Sequence, residues 1–432
     1  MSPVRAPGAP QIVALALVLI AGPHQQALTQ ESQSVHQVAS PERVTLGEVL
    51  KLLREHSPRI SADRADIDIA EADVVKAGLL PNPSINYTRT GTVHGVDTIG
   101  GTQHLASVDI PLLIAGQRSV RRRAAELQVV ATRSLVRARY VDAAVDARHL
   151  FITLLADQAR VRLLEAALAD LESVERIVAG RAQAGVKSQY DVERIRVEVA
   201  TGRNRLAESQ VTRDDTAGQL AKLVGMPGWL PVAEGEFRPR GAGPGMVELW
   251  QQAEKSLPAI VAAEKKDEVA RAEIDVASRE RWPTPVFSVG GLDTTDPHGV
   301  GVLFGISLPI PLFDRGQGGM ARARAEAISA SRNREAVLAE SHVELEKAVH
   351  LLNLHRTALE SFERDVMARL STLRQMAEEA YRNGQGGIVE FLDALRVITE
   401  AGPNHADLVE KVLQAEVDVD AAAGIIDLDY NP

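Results

Sequence analysis

The chain has 432 residues, 45% hydrophobic and 25% charged, with a formal net charge of -10 and no cysteine. So acidic a balance lacks the basic face that a nucleic-acid partner needs. The missing cysteine excludes disulfides, thiol catalysis, thiolate-bound metals and lipidation of a processed N-terminal cysteine. Aromatics make up only 3%, and a chain dominated by Ala, Leu, Val, Glu and Arg favours long helices over a compact mixed core.

Residues 1–27 read as a secretory signal. Arg5 supplies the positive charge, Ile12 to Ala21 the apolar core, and Gly22-Pro23 the break, with Ala21 and Ala27 both suited to cleavage. The apolar core is too short for a transmembrane helix, which needs about 20 residues. No other stretch approaches a spanning helix, so a mature chain embedded in a membrane must use strands.

An amphipathic helix is expected from Leu46 to Gly78, ended by Pro81-Asn82-Pro83, because proline cannot continue a helix and restricts its predecessor. Two strands follow, Ser84 to Val93 and Thr102 to Ile110, joined by a turn at Gly95–Gly101. Ile85 and Tyr87 share one face of the first strand, Asn86 and Thr88 the other. Pro111 and Gly116 mark the junction from strand to helix. From Gln117 to Gln183 there is no proline, and the one glycine is Gly180. Such a helix is roughly 100 Å long at 1.5 Å per residue. Its Leu150, Leu154, Val161, Leu164, Leu168 and Leu171 recur at threes, fours and sevens, close to a heptad seam. Buried on one side only, it needs neighbours. A turn at Gly185 sends the chain back, and a Pro/Gly-rich stretch over 227–245 reads as a linker.

The order then repeats. A helix is expected from Met246 to Arg281, then Pro283-Thr284-Pro285, strands Val286 to Leu292 and Val300 to Leu308, a turn at Asp293–Gly299, a junction at Pro311 and Gly316, a long helix, a turn at Gly384 and a returning helix. In the second strand Val300, Val302, Phe304 and Ile306 alternate with Gly301, Leu303, Gly305 and Ser307, a period of two with one greasy face. Pro58, Pro81, Ile110-Pro111-Leu112, Gly185 and Gly225 recur at a nearly constant offset as Pro258, Pro283, Ile310-Pro311-Leu312, Gly384 and Gly424. The chain is therefore written twice, as repeats over 42–226 and 246–428. Gly402-Pro403 interrupts the last helix, and a kink or break dividing it in two is expected between Ala401 and Asn404.

Four strands cannot close a barrel, and an open edge cannot face lipid. Three copies supply twelve strands, within the size range of outer-membrane barrels. The expected fold class is mainly α with a small membrane β-barrel portion. A trimer forms the twelve-stranded barrel, and a helical tube continues it.

The duplicated order of helix, Pro-x-Pro, two strands, Ile-Pro-Leu, long helix, glycine turn and returning helix resembles the TolC family of outer-membrane efflux proteins. Leu308-Pro309-Ile310-Pro311-Leu312-Phe313-Asp314-Arg315-Gly316 is similar above all to its heavy-metal, CzcC-type branch. Glu390-Phe391-Leu392-Asp393-Ala394-Leu395-Arg396 is the other most recognisable stretch. The resemblance implies a homotrimeric, passive exit duct without a cofactor. It would be set in outer-membrane lipid and joined through a periplasmic adaptor to an inner-membrane pump of the RND type, with metal cations or drugs as cargo. The rival reading, a periplasmic adaptor, needs one hairpin flanked by split lipoyl-like β segments, whereas this chain has two hairpins, each preceded by a strand pair.

No catalytic motif stands out: there is no G-x-S-x-G, P-loop or H-E-x-x-H. His342, His350 and His355 are spaced by eight and five, which puts them on different faces of a helix and reads as solvated histidines. Arginines gather after both junctions, Arg118, Arg121, Arg122 and Arg123, then Arg315, Arg322 and Arg324. They suit an ordinary solvated face, a membrane surface or a tunnel lining.

The two hairpin tips are the most informative polar sites. In each, a glycine precedes an acid by six residues, Gly185 before Asp191 and Gly384 before Glu390. Glycine permits the left-handed turn that stops one helix, and the acid suits the first turn of the next. Glu390 and Asp393, three apart, share one side of their helix. By resemblance that side faces the pore and the tip is the periplasmic entrance, where Tyr381 and Asp191 help to tie the helices shut. Gly386 stands where the family carries a basic partner, and Lys187 is the expected substitute.

Overall fold

A computed structural model describes residues 42–91, 102–184, 188–241, 243–294 and 299–426. The expected signal segment, Gly185 and Lys187 lie outside these residues. Among those described, no helix is long and apolar enough to cross a membrane.

The first half runs β1 (Arg43–Val44), α1 (Leu46–His56), α2 (Pro58–Ala77), β2 (Ser84–Gly91), β3 (Thr102–Pro111), α3 (Gln117–Gln183) and α4 (Gln189–Val224). After β4 (Val232–Ala233) come α5 (Met246–Ser256), α6 (Pro258–Glu280), β5 (Val286–Thr294), β6 (Gly299–Ser307), α7 (Gln317–Asp365), a 3-10 turn (Met367–Arg369), α8 (Leu370–Arg382) and α9 (Ile388–Ala422). The mainly helical fold with a small sheet matches the expectation, and α3 has the bounds read from the sequence. The connection between the halves is ordered where described. Its β4 pairs in parallel with β1, and the Gln158 side chain brackets Ala233, accepting from its N at 2.7 Å and donating to its O at 2.9 Å.

Three expectations need correction. Neither leading helix is continuous, since Ser57 and Leu257 are extended (ψ 120 and 118) and Pro58 and Pro258 begin second helices. The residue before proline is pushed out of the helical region, while proline itself suits a first helical position. Conversely, α9 runs unbroken through Pro403. Proline there removes one hydrogen bond, but Ala401, Ala406 and Val409 are buried and Gly402 lies against Leu163 of α3, so packing on both sides holds the helix. The interruption falls instead in the opposite leg, at Val366–Arg369, where no proline or glycine stands. His405 Nε2 lies 2.8 Å from Glu363 Oε1, so Val366 and Gly402 sit at the same height.

Helices stack end to end to make the wall. The left-handed Gly225 (φ 85) closes α4 directly against His56 and Pro58, and Ser57 Oγ donates to Leu223 O at 3.2 Å. In the second half the left-handed Gly424 (φ 66) abuts Ser256 and Leu257. Thus α4 continues into the line of α2, and α9 into that of α6. Both α2 and α4 pack on α3, while α6 and α9 lie between α3 and α7. A Cβ on Gly225 would come within 2.4 Å of Pro58 Cδ, whereas one on Gly228 (φ 76) meets nothing. Gly225→Ala is therefore expected to lose about 2–3 kcal/mol, from left-handed strain plus overpacking, against about 1–2 for Gly228→Ala from strain alone. Thermal unfolding followed by helical circular dichroism checks this, and equal losses would mean that the stacked joint is loose.

All four long strands form one antiparallel sheet, in the order β2-β3-β5-β6. Pairing sets Ile85, Val108, Val289 and Phe304 in one rung and Tyr87, Ala106, Gly291 and Val302 in the next. The opposite face carries Asn86, Ser107, Gly290 and Leu303, then Ser84, Asp109, Ser288 and Gly305. One face is thus mainly apolar across all four strands and the other mainly small or polar. Among the described residues both edges, β2 and β6, are left without a partner strand.

Candidate channel entrance at the hairpin tips

At the far end of the wall the two helical hairpins pack on each other. Val178 of α3, Val192 and Ile195 of α4, and Tyr381, Phe391 and Leu395 of the second hairpin share one apolar cluster. Ion pairs tie the same elements together: Arg374 to Asp170 at 2.7 Å, Arg396 to Glu198 at 3.1 Å and Arg205 to Glu400 at 3.4 Å. Between the hairpins lies a groove of about 180 Å³ lined by Asp170, Ile177, Arg181, Arg374 and Tyr381.

Gly384 is left-handed (φ 71), and Gln385 N and Gly386 N both donate to Ala380 O, at 2.9 and 3.1 Å. That closes α8 by glycine stop, as the sequence implies. Tyr381 is 5% exposed and stacks on Phe391 with centroids 4.9 Å apart. Burial pushes the Tyr381 hydroxyl above its ordinary pKa, the Asp191 carboxylate adds to this, and Arg181 opposes it. Asp191 and Arg181 thus both act on the Tyr381 hydroxyl, and Arg181 lines the same groove as Tyr381. Arg181 carries no spacing signal that marks it, because what selects it is the packing of α3 against α8.

Asp191 lies in the first turn of α4, its N donating to Ser188 Oγ at 3.3 Å. Glu390 is exposed and accepts from Gly387 N at 3.0 Å, so its carboxylate caps its own helix. Asp393 is exposed one turn further on, and it adds to the charge field that holds the Arg396 guanidinium above its ordinary pKa, a shift owed first to Glu198. At the other end of the wall, Gly116 and Gly316 are both left-handed (φ 74 and 71) at the starts of α3 and α7. Pro111 is the last residue of β3, while Pro311 lies four residues beyond β6.

Two buried ionic clusters escape sequence reasoning. Arg160 of α3 bonds Asp157 at 2.5 Å, Asp407 at 2.6 Å and Glu410, the last two on α9. Glu416 of α9 accepts from Arg240 N at 3.0 Å and Arg356 Nη2 at 2.8 Å, which clasps the connection between the halves to the wall. Apart from Asp157, three residues before Arg160, these partners lie too far apart in the chain to leave a local spacing to read. His342 stands edge-on to Trp250 at 4.5 Å, and among the described residues no three metal-binding side chains converge.

The model of the outer membrane efflux protein family matches residues 49–226 and 249–425. Over 386 residues the chain is 24% identical to the cobalt-zinc-cadmium resistance protein CzcC of Cupriavidus metallidurans, covering 88% of this chain and 90% of that protein. It is 27% identical to protein CyaE of Bordetella pertussis, covering 88% and 84%. Its fold is shared with CusC, at a TM-score of 0.73 and 18% identity over 90% of this chain and 95% of that one. The outer membrane protein VceC of Vibrio cholerae gives 0.71 and 16% over 88% and 96%. With both halves matched by one model, the chain belongs to the outer membrane efflux protein family.

Proposed function

We propose that three copies of this chain close a twelve-stranded barrel in the outer membrane and form the exit duct of a tripartite efflux system, whose helical tube meets a periplasmic adaptor and an inner-membrane pump. The observation that carries this reading is the four-stranded sheet with two open edges and one apolar face, set at the end of a helical wall. Open edges do not survive in lipid, so neighbouring copies must pair β6 with β2. Each repeat, 42–226 and 246–428, supplies one strand pair and one hairpin, and 227–245 links them. Residues 1–27 direct export.

The entrance lies at the tips. Glu390 and Asp393 form two rings of carboxylates under threefold symmetry, with Tyr381, Asp191, Arg181 and Lys187 tying neighbouring helices. Gathered carboxylates in a narrow mouth attract cations. That suits divalent metal cargo, in keeping with the name of the Cupriavidus relative. Although Glu390 caps its helix, it is solvent-exposed. The test is single-channel conductance in planar bilayers, with Mg²⁺ or a trivalent cation added on the periplasmic side. Wild type should be blocked, and Glu390→Ala with Asp393→Ala should lose most of the block. A double variant blocked as tightly as wild type would remove the rings from the entrance.

A further inference from the structure

The four strand–helix connections, residues 78–83, 112–116, 281–285 and 308–316, meet at one level of the fold. Leu112 N donates to Pro285 O at 2.7 Å, Arg118 Nε to Gly78 O at 2.5 Å and Arg281 Nε to Arg315 O at 3.0 Å. Every connection bears apolar side chains that the described chain leaves uncovered. Leu80, Ile114, Trp282 and Ile310 are exposed, and Phe313 is 91% exposed.

Among the described residues the apolar stripe of the sheet is too short to cross the hydrocarbon alone. It begins at the rung of Ile110, Phe287 and Ile306 and ends where Arg89, His104 and Asp293 share a rung with Val300. From Ile110 to His104 the strand rises about 20 Å. Strand tilt reduces that to about 15 Å, against an apolar band of about 25 Å on outer-membrane barrels. Charge closes the outer end, so the missing height of about 10 Å falls at the junctions.

Just beyond those apolar side chains the charge turns basic. Residues 115–125 hold four arginines and no acid, in a chain of net charge -10. Arg118, Arg281 and Arg315 each hold a junction carbonyl through Nε, those of Gly78, Arg315 and Leu312. Among the described residues none of the three pairs with a carboxylate, unlike Arg160 or Arg356. Their exposed terminal nitrogens form a fork suited to phosphate. Tryptophan beside arginine is the composition of a membrane–water interface.

We propose that the junctions form a lipid-binding collar. Its apolar side chains seat among the acyl chains of the inner leaflet of the outer membrane, and Arg118, Arg281 and Arg315 bind the phosphates of anionic lipid headgroups. The collar rests on the barrel reading above and adds that turns, not strands, complete the hydrophobic belt.

The test uses the full-length trimer in phosphatidylcholine vesicles with and without phosphatidylglycerol. The chain has three tryptophans. Trp229 is buried, and Trp250 is separated from Trp282 by the 23 residues of α6, roughly 35 Å of helix. The emission lost in Trp282→Phe isolates Trp282. That emission should be quenched by lipids brominated near the top of the acyl chain. Phosphatidylglycerol should raise the temperature of trimer dissociation. The triple variant Arg118→Gln, Arg281→Gln, Arg315→Gln should keep the quenching and lose the rise, and inorganic phosphate should not reproduce it. An inserted trimer with unquenched Trp282 overturns the collar, because a neighbouring copy or water then covers the junctions. A rise retained by the triple variant, or reproduced by inorganic phosphate, overturns the headgroup assignment. Failure of the protein to float with vesicles overturns the barrel reading itself, and the collar with it.

Discussion

Phe304→Arg is expected to abolish most membrane-assembled trimer while leaving the helical wall folded. Phe304 is 70% exposed on β6, in the rung with Ile85, Val108 and Val289 near the middle of the apolar stripe. An arginine at mid-bilayer on an outer-membrane barrel costs about 2–4 kcal/mol, and threefold symmetry multiplies that to about 6–12 kcal/mol per assembly. The neighbouring residue is the control. Leu303 pairs with Gly290 on the other face, in a rung with Asn86 and Ser107. Leu303→Arg should therefore assemble close to wild type, because its charge enters water. Trimer yield from membranes, read on gels without boiling, checks both. Normal yield for Phe304→Arg with loss for Leu303→Arg would reverse the face that meets lipid.

Arg160→Met should cost about 3 kcal/mol, near the lower end of the range for breaking a buried ion pair. Burial works against the charge of Arg160, yet its bonds to Asp407 and Glu410 outweigh that and hold the guanidinium above its ordinary pKa. Asp157 and Glu410 are only 2% and 13% exposed in their side chains, so removing the cation leaves two carboxylates with little water. Asp157 retains Thr216 Oγ1 at 2.7 Å, and Glu410 retains Thr153 Oγ1 at 2.8 Å, which keeps the loss from the upper end. Adding Asp157→Asn to Arg160→Met should recover part of the stability, because the orphaned charge is gone. Chemical unfolding monitored by helical signal measures both variants. A loss below about 1 kcal/mol would place the cluster with solvent-screened surface pairs, and the bond between α3 and α9 would then be dispensable.

Much of the fold was legible because it rests on local rules. The bounds of α3 follow from a long run without proline, closed at its start by Gly116. The two strand faces follow from a period of two, and the duplicated order of elements from prolines and glycines at a constant offset. At the tips, the left-handed Gly384 and the first-turn acids Asp191 and Glu390 are also local, since a stop and a cap involve residues within a few positions. The roles of Tyr381 and Asp191 came from the family resemblance, and no spacing implied them.

What only the tertiary structure decided involves competition between local preference and packing. Pro403 argues for a break, but buried neighbours on both sides keep α9 whole, while α7 breaks at Val366 with no breaker in its sequence. Pro58 and Pro258 break each leading helix locally, but that the C-terminal ends of α4 and α9 dock on those joints is decided by packing. The pairing of β3 with β5 joins the two halves into one sheet, a choice among edges that strand periodicity cannot make. Arg181 beside Tyr381, Arg160 with Asp407 and Glu410, and Arg356 on Glu416 are all long-range partnerships. A charge in the sequence states only that a partner or water is needed; which carboxylate answers it is fixed by how the helices stack.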